Sequence, residues 1–160
     1  MLKKVASTNR FNRDGRFAII ASLYNARYVN SMLRAAKAEI QKAGGAACVV
    51  RVPGAFEIPV VASSLARRAN GSDPEDRLDA LICLGVILRG ATTHAQHIGE
   101  AVTNALVQIQ IMHQVPVVHE VLLLENHQQA RQRCMDADHN RGREAAQTAL
   151  AMARTMQNLR

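Results

Sequence analysis

The chain has 160 residues, enough for one domain with a buried core, and its 48% hydrophobic and 21% charged residues exclude a disordered polymer. Aromatic residues are only 3% and Trp is absent, which counts against a nucleic-acid module built on base-stacking platforms. The net charge of +7 comes from 20 Lys and Arg that are scattered, with Lys3-Lys4 and Arg67-Arg68 the tightest clusters, a pattern of solvated surface.

Residues 1–15 are polar and rich in Asn and Arg, and are expected to form an N-terminal arm ahead of a single domain over 16–160. The charges of Lys3 and Lys4 have no apolar stretch behind them, so the segment does not read as a signal peptide. No apolar run reaches the length of a membrane span, and the cytoplasm is the expected compartment. Cys48, Cys83 and Cys134 show no C-x-x-C spacing; Cys48 and Cys83 lie inside apolar runs and read as small core residues.

The run at 17–22 is continuous and apolar, as expected of a strand buried on both faces. Apolar residues then recur at helical spacing over 26–43 (Val29, Met32, Leu33, Ala36, Ile40), and Gly44-Gly45 supplies the stop. Residues 47–52 predict a second strand, cut off by Pro53-Gly54. A helix follows over 56–69, with Pro59 early enough to be tolerated in its first turn.

The stretch 70–77 is the clearest loop of the chain. A third buried strand lies within 78–88, and a long helix follows over 92–114, with Thr92 or Thr93 as its N-cap. A fourth strand is predicted over 115–124, and two helices near 126–136 and 141–158. Strands alternating with helices give βαβ units, hence a parallel sheet covered on both faces.

In such a sheet, ligands sit beyond the carboxyl ends of the strands. That rule selects residues 22–25, 53–57, 85–94 and the stretch after Leu124. Gly90-Ala91-Thr92 brings small residues and backbone N–H groups to the start of a long helix, a place that favours anions. The Gly-Lys-Ser/Thr ending of a nucleotide-binding P-loop is missing, so a small phosphate ester or a carboxylate fits better than a nucleoside triphosphate. His94 falls in the first turn of that helix, where an imidazole can move protons or can be one more surface histidine among six. His97 lies one turn on, and a metal site from the two would need further ligands from elsewhere. Glu57 either caps the helix it opens or accepts hydrogen bonds from a hydroxyl-rich ligand, and Arg131 and Arg133 lie on the helix near 126–136.

Four motifs, in order, carry a resemblance: Val52-Pro-Gly-Ala-Phe-Glu-Ile-Pro59, Leu84-Gly-Val-Ile-Leu-Arg-Gly-Ala-Thr-Thr-His94, Gln129-Ala-Arg-Gln-Arg133, and Asn140-Arg-Gly142 with Glu144-Ala-Ala146. Over residues 16–158 the chain resembles the 6,7-dimethyl-8-ribityllumazine synthases. The resemblance implies an α/β/α sandwich with a four-stranded parallel sheet of flavodoxin-like topology. It also implies the penultimate step of riboflavin biosynthesis: condensation of 5-amino-6-(D-ribitylamino)uracil with 3,4-dihydroxy-2-butanone 4-phosphate, without metal or organic cofactor.

By the same resemblance Tyr24, beside Asn25, stacks on the pyrimidine. Ala55, Phe56 and Glu57 with Val86, Ile87 and Leu88 bind the ribityl-aminouracil. Gly90, Ala91, Thr92 and Arg133 hold the phosphate, His94 shuttles protons, and Glu144 orients the histidine. Sites between neighbouring subunits of a pentamer are implied, with assembly to decamers or 60-subunit shells, and riboflavin synthase as a further partner; no nucleic acid or membrane is involved.

Several positions depart from the family pattern. His119 stands for a phenylalanine against the pyrimidine, Glu120 for a glycine, Ala95 for an aromatic, Leu23 for an arginine, Ala137 for a lysine and His139 for a glycine. They motivate an alternative, a non-catalytic paralogue that binds a flavin or lumazine or builds a shell. A nucleic-acid binder rests only on the net charge.

Overall fold

Four strands pair in one parallel sheet in the order β2-β1-β3-β4. The computed structural model describes residues 15–159. Its elements are β1 (Arg16–Ser22), α1 (Ala26–Lys42), β2 (Ala46–Val52), α2 (Ile58–Ala69), β3 (Ala80–Leu88), α3 (His94–His113), β4 (Val117–Leu124), α4 (His127–Cys134) and α5 (Arg141–Asn158). Apart from Gly15, the expected N-terminal arm lies outside the described residues. Gly15 itself is buried and accepts a hydrogen bond from the backbone of Ala46 at 2.8 Å.

Alternation along the strands divides the core in two. Phe17, Ile19 and Ala21 of β1 face a cluster with Tyr28, Val29 and Met32 of α1, Ala130 and Cys134 of α4, and Ala145, Ala146, Ala149 and Leu150 of α5. Ala18 and Ile20 face Ile58, Ala62 and Ala66 of α2 and Val102, Leu106 and Ile109 of α3. Helices therefore cover both faces, giving the three-layer α/β/α fold with flavodoxin-like strand order.

Small residues set the closest helix contacts. A Cβ on Gly142 of α5 would lie 2.0 Å from the backbone oxygen of Met32 on α1, so the two helices pack backbone against backbone there. Buried Asn140 fixes the start of α5: its Oδ1 accepts from Gly142 N at 2.9 Å and its Nδ2 donates to Cys134 O at 2.7 Å.

The predicted elements are present in order, with shifted ends. The helix expected from 92 begins at His94; Thr93 sits at the N-cap without a side-chain cap, and Thr92 Oγ1 lies 3.4 Å from His94 N. A single 3-10 turn over Ala55–Glu57 precedes α2. Strand β4 starts at Val117 because Pro116 has no N–H to give the ladder, although its carbonyl accepts from Leu81 at 2.8 Å. Cys83 is buried as expected, but Cys48 is exposed. The expectation fails because β2 is an edge strand, with Ala46 and Cys48 on its open side.

Candidate functional site

The carboxyl ends of the strands are tied together in spatial order. Leu23 N donates to Val52 O at 2.8 Å, joining the β1 and β2 loops. Asn25 Nδ2 donates to Val86 O at 2.8 Å, joining β1 to β3, and Arg89 N donates to Leu124 O at 2.8 Å, joining β3 to β4.

A hollow of about 300 Å³ opens among the first three of these ends. It is lined by Tyr24, Asn25, Gly54, Ala55, Phe56, Glu57, Val86, Ile87, Leu88 and Ile98. Each wall has a local cause. Asn25 adopts a left-handed conformation (φ 56°), which an Asn tolerates better than most residues, and so turns β1 into α1 while its amide reaches β3. Gly54 leaves room for the Tyr24 ring, since a Cβ there would sit 3.0 Å from that ring. Glu57 Oε2 accepts from Gly54 N at 2.9 Å, so the capping role read from the sequence is present. Tyr24 and Phe56 are 72% and 62% exposed, large aromatic surfaces that the core does not use.

The segment from Arg89 to His94 is exposed and does not line this hollow. It connects Leu88 to α3, whose Ile98 does line it, so the loop with Gly90, Ala91 and Thr92 is covalently bound to the hollow's floor and wall. His94 is the first residue of α3 and is exposed, and His97 is exposed one turn on. Among the described residues no three His, Cys, Asp or Glu converge on a metal position.

The remaining predicted residues lie elsewhere in the single chain. His119 and Glu120 are consecutive on β4 and face opposite sides of the sheet. His119 turns toward α3 and lines a hollow of about 430 Å³ with Thr103, Leu106, Val107, Gln110 and Val117. Val121 N donates to its Nδ1 at 3.3 Å, so the Nε2–H donates to Thr103 Oγ1 at 2.8 Å, and the Thr103 hydroxyl passes on to Gly99 O at 2.8 Å. This arrangement fits a neutral ring, and burial pushes the His119 imidazole below its ordinary value.

On the other side, Glu120 is buried and takes a bidentate ion pair from Arg141, Nε to Oε2 at 3.0 Å and Nη2 to Oε1 at 2.8 Å. Arg141 also donates from Nη1 to Glu144 Oε2 at 2.6 Å. Burial raises the Glu120 carboxyl, with Arg141 and Arg133 working against that shift. Burial alone would lower Arg141, but Glu120 and Glu144 outweigh it and the guanidinium is held more firmly charged. Within one chain, then, Glu144 meets Arg141. Arg133 stands exposed at the end of α4, with no ion pair or hydrogen bond to the other described residues.

Arg141 and Thr103 were not singled out by sequence reasoning. Arg141 had a usable signal, since it lies three residues before Glu144 on a helix, a spacing at which opposite charges meet. Thr103 had none, because its partner lies across the gap between α3 and β4.

A sequence profile of 6,7-dimethyl-8-ribityllumazine synthase matches residues 14–157 of the chain. The chain belongs to the 6,7-dimethyl-8-ribityllumazine synthase family. It is similar to the 6,7-dimethyl-8-ribityllumazine synthase of Stenotrophomonas maltophilia (strain R551-3), with 33% identity over 153 residues covering 94% of each chain. The Xanthomonas oryzae pv. oryzae (strain PXO99A) protein of the same name is 35% identical over 147 residues, covering 90% of this chain and 91% of that one. The Mycobacterium avium (strain 104) protein is 36% identical over 148 residues, covering 91% and 87%. Lumazine synthases are transferases of riboflavin biosynthesis, so the loops at the sheet's carboxyl edge are the place to seek this family's chemistry. Among the described residues, no helix is long and apolar enough to cross a membrane.

Proposed function

We propose that the chain condenses 5-amino-6-(D-ribitylamino)uracil with 3,4-dihydroxy-2-butanone 4-phosphate, releasing phosphate and water and forming 6,7-dimethyl-8-ribityllumazine. The observation that carries this reading is the hollow of Tyr24, Asn25, Ala55–Glu57 and Val86–Leu88, continuous in the chain with the Gly90–His94 loop.

In this reading the Tyr24 ring stacks on the pyrimidine and the free oxygen of Glu57 accepts from the ribityl chain. The loop Gly90, Ala91 and Thr92, just ahead of the N-terminus of α3, receives the phosphate together with Arg133. His94 takes and returns protons as the 5-amino group adds to the ketone and a first water leaves, phosphate is eliminated, and the ribitylamino nitrogen closes the ring on the carbonyl so formed with loss of a second water. Holding two reactants side by side supplies several kcal/mol, on the order of the gain from positioning alone.

His119, Arg133 and Glu144 do not reach this hollow within one chain, and β4 is an edge strand. The reading therefore takes them from a neighbouring copy, so that the site forms between subunits, with Glu144 beside His94. That arrangement is supported by the exposure of Tyr24, Phe56, His94 and Arg133, which leaves each accessible to a second copy.

Purified protein given both substrates should form the fluorescent lumazine, and His94→Ala should slow that step by roughly 10²–10⁴-fold. Tight binding of riboflavin or lumazine by the intact protein, with no product formed, would replace this reading by the non-catalytic one.

A further inference from the structure

Glu120 is a buried carboxylate on β4, and its contacts show what it does. It sits 5% exposed under the ends of α4 and α5 and grips Arg141 through two hydrogen bonds. Arg141 is committed on its other side to Glu144. A guanidinium held by two carboxylates has little capacity left for a phosphate. Arg133 is different: it is exposed and free of hydrogen bonds to the other described residues, and it precedes Cys134, whose carbonyl accepts at 2.7 Å from Asn140, the neighbour of Arg141, so its charge also favours the ionised form of Glu120. Cys134, next to it, is buried in the field of both Glu120 and Arg141; its thiol is pushed up to about 12 by burial and adds no charge. The cluster thus holds two guanidiniums, Arg133 and Arg141, against two carboxylates, Glu120 and Glu144, and is neutral as a whole.

We infer that Glu120 sets the affinity of the site for the phosphate group by balancing the charge of Arg133 and Arg141. This rests on the reading of Arg133 as the phosphate ligand. A neutral cluster holds a phosphate dianion more weakly than a cluster with one spare positive charge. The reaction gains from that weakness, because phosphate is also a product and must leave. Glu120 is a specificity-determining residue in this sense, and it touches neither substrate itself.

The test is a charge series read in two constants, the KM of the phosphate-bearing ketone and the inhibition constant of inorganic phosphate. Glu120→Gln leaves one positive charge in excess and should lower both by about three- to tenfold, with the KM of the pyrimidine unmoved. Arg141→Gln leaves one negative charge in excess and should raise both by a similar factor. The double variant is neutral again and should return to within about twofold of the parent. Raising the ionic strength should compress the whole series.

A merely structural role would weaken both substrates together and would not restore the parent values in the double variant. Unchanged or weaker phosphate inhibition in folded Glu120→Gln overturns the inference. If that variant does not fold, the comparison of Arg141→Gln with the double variant decides in the same way. Arg133→Gln separates the two levels: if it leaves phosphate inhibition unchanged, the phosphate role of Arg133 fails. If it weakens inhibition while Glu120→Gln does not strengthen it, only the inference about Glu120 fails.

Discussion

The side-chain amide of Asn25 donates to the backbone oxygen of Val86 at 2.8 Å, from a residue whose own backbone is left-handed at φ 56°. One residue thus ends β1, opens α1 and fixes the wall formed by β3. Asn25→Ala loses the bond and pays the steric penalty of a left-handed Cβ without a compensating side chain, about 1–3 kcal/mol together. Asn25→Gly keeps the conformation and loses only the bond. Urea denaturation should rank the variants Asn, Gly, Ala in falling stability. Equal loss in the two variants would mean that the backbone conformation contributes nothing.

Gly142 faces a harder limit. The Cβ of Gly142→Ala would overlap the Met32 carbonyl, and no flexible side chain lies in between to move aside. Helices α1 and α5 must separate, so the substitution should cost about 3 kcal/mol or more. Thermal unfolding measures it, and an unchanged midpoint would show that the crossing relaxes freely.

Acid should weaken the fold through His119. Its folded-state pKa is lowered from 6.5, chiefly by burial, so the unfolded chain takes up the proton first. The contribution is fully present above about pH 7 and is lost as pH falls through 6.5 toward the folded-state value. Stability measured from pH 8 to 5 should fall for the parent, and that component should be missing from His119→Phe. Parallel curves for the two proteins would contradict the assignment of a neutral ring.

Tyr24 offers a test that leaves the core alone. Its ring is 72% exposed and packs over Gly54, so Tyr24→Ala should change stability little. Loss of one stacking contact is worth about 1–3 kcal/mol, which would raise the KM of the pyrimidine roughly five- to 150-fold. Tyr24→Phe should keep most of the affinity. Equal KM values for the parent and Tyr24→Ala would remove Tyr24 from the pyrimidine site.

Much of this was legible from local pattern. Buried strands such as 17–22 and 80–88 are continuous apolar runs, and Gly44, with φ 81°, ends α1 where a left-handed residue was needed. The loops that form the hollow followed from the rule on carboxyl ends of parallel strands. Cys48 was misread because an apolar run does not reveal whether its strand lies at an edge. The ends of α3 shifted because Thr92 and Thr93 are both able to cap, and neither hydroxyl takes the usual capping bond. The spacing of Arg141 to Glu144 was legible, but its pairing with Glu120, 21 residues away, is joined only by the fold.

These two neighbours on β4 make the strand a divider between an imidazole compartment under α3 and a charged compartment under α4 and α5. A one-residue insertion or deletion ahead of them would exchange the two, placing a carboxylate among Leu106 and Val107 and a ring against Arg141. Loop lengths on either side of β4 are thus free to vary among relatives only so far as its pairing with β3, from Leu81↔Val117 to Leu88↔Leu124, stays in phase.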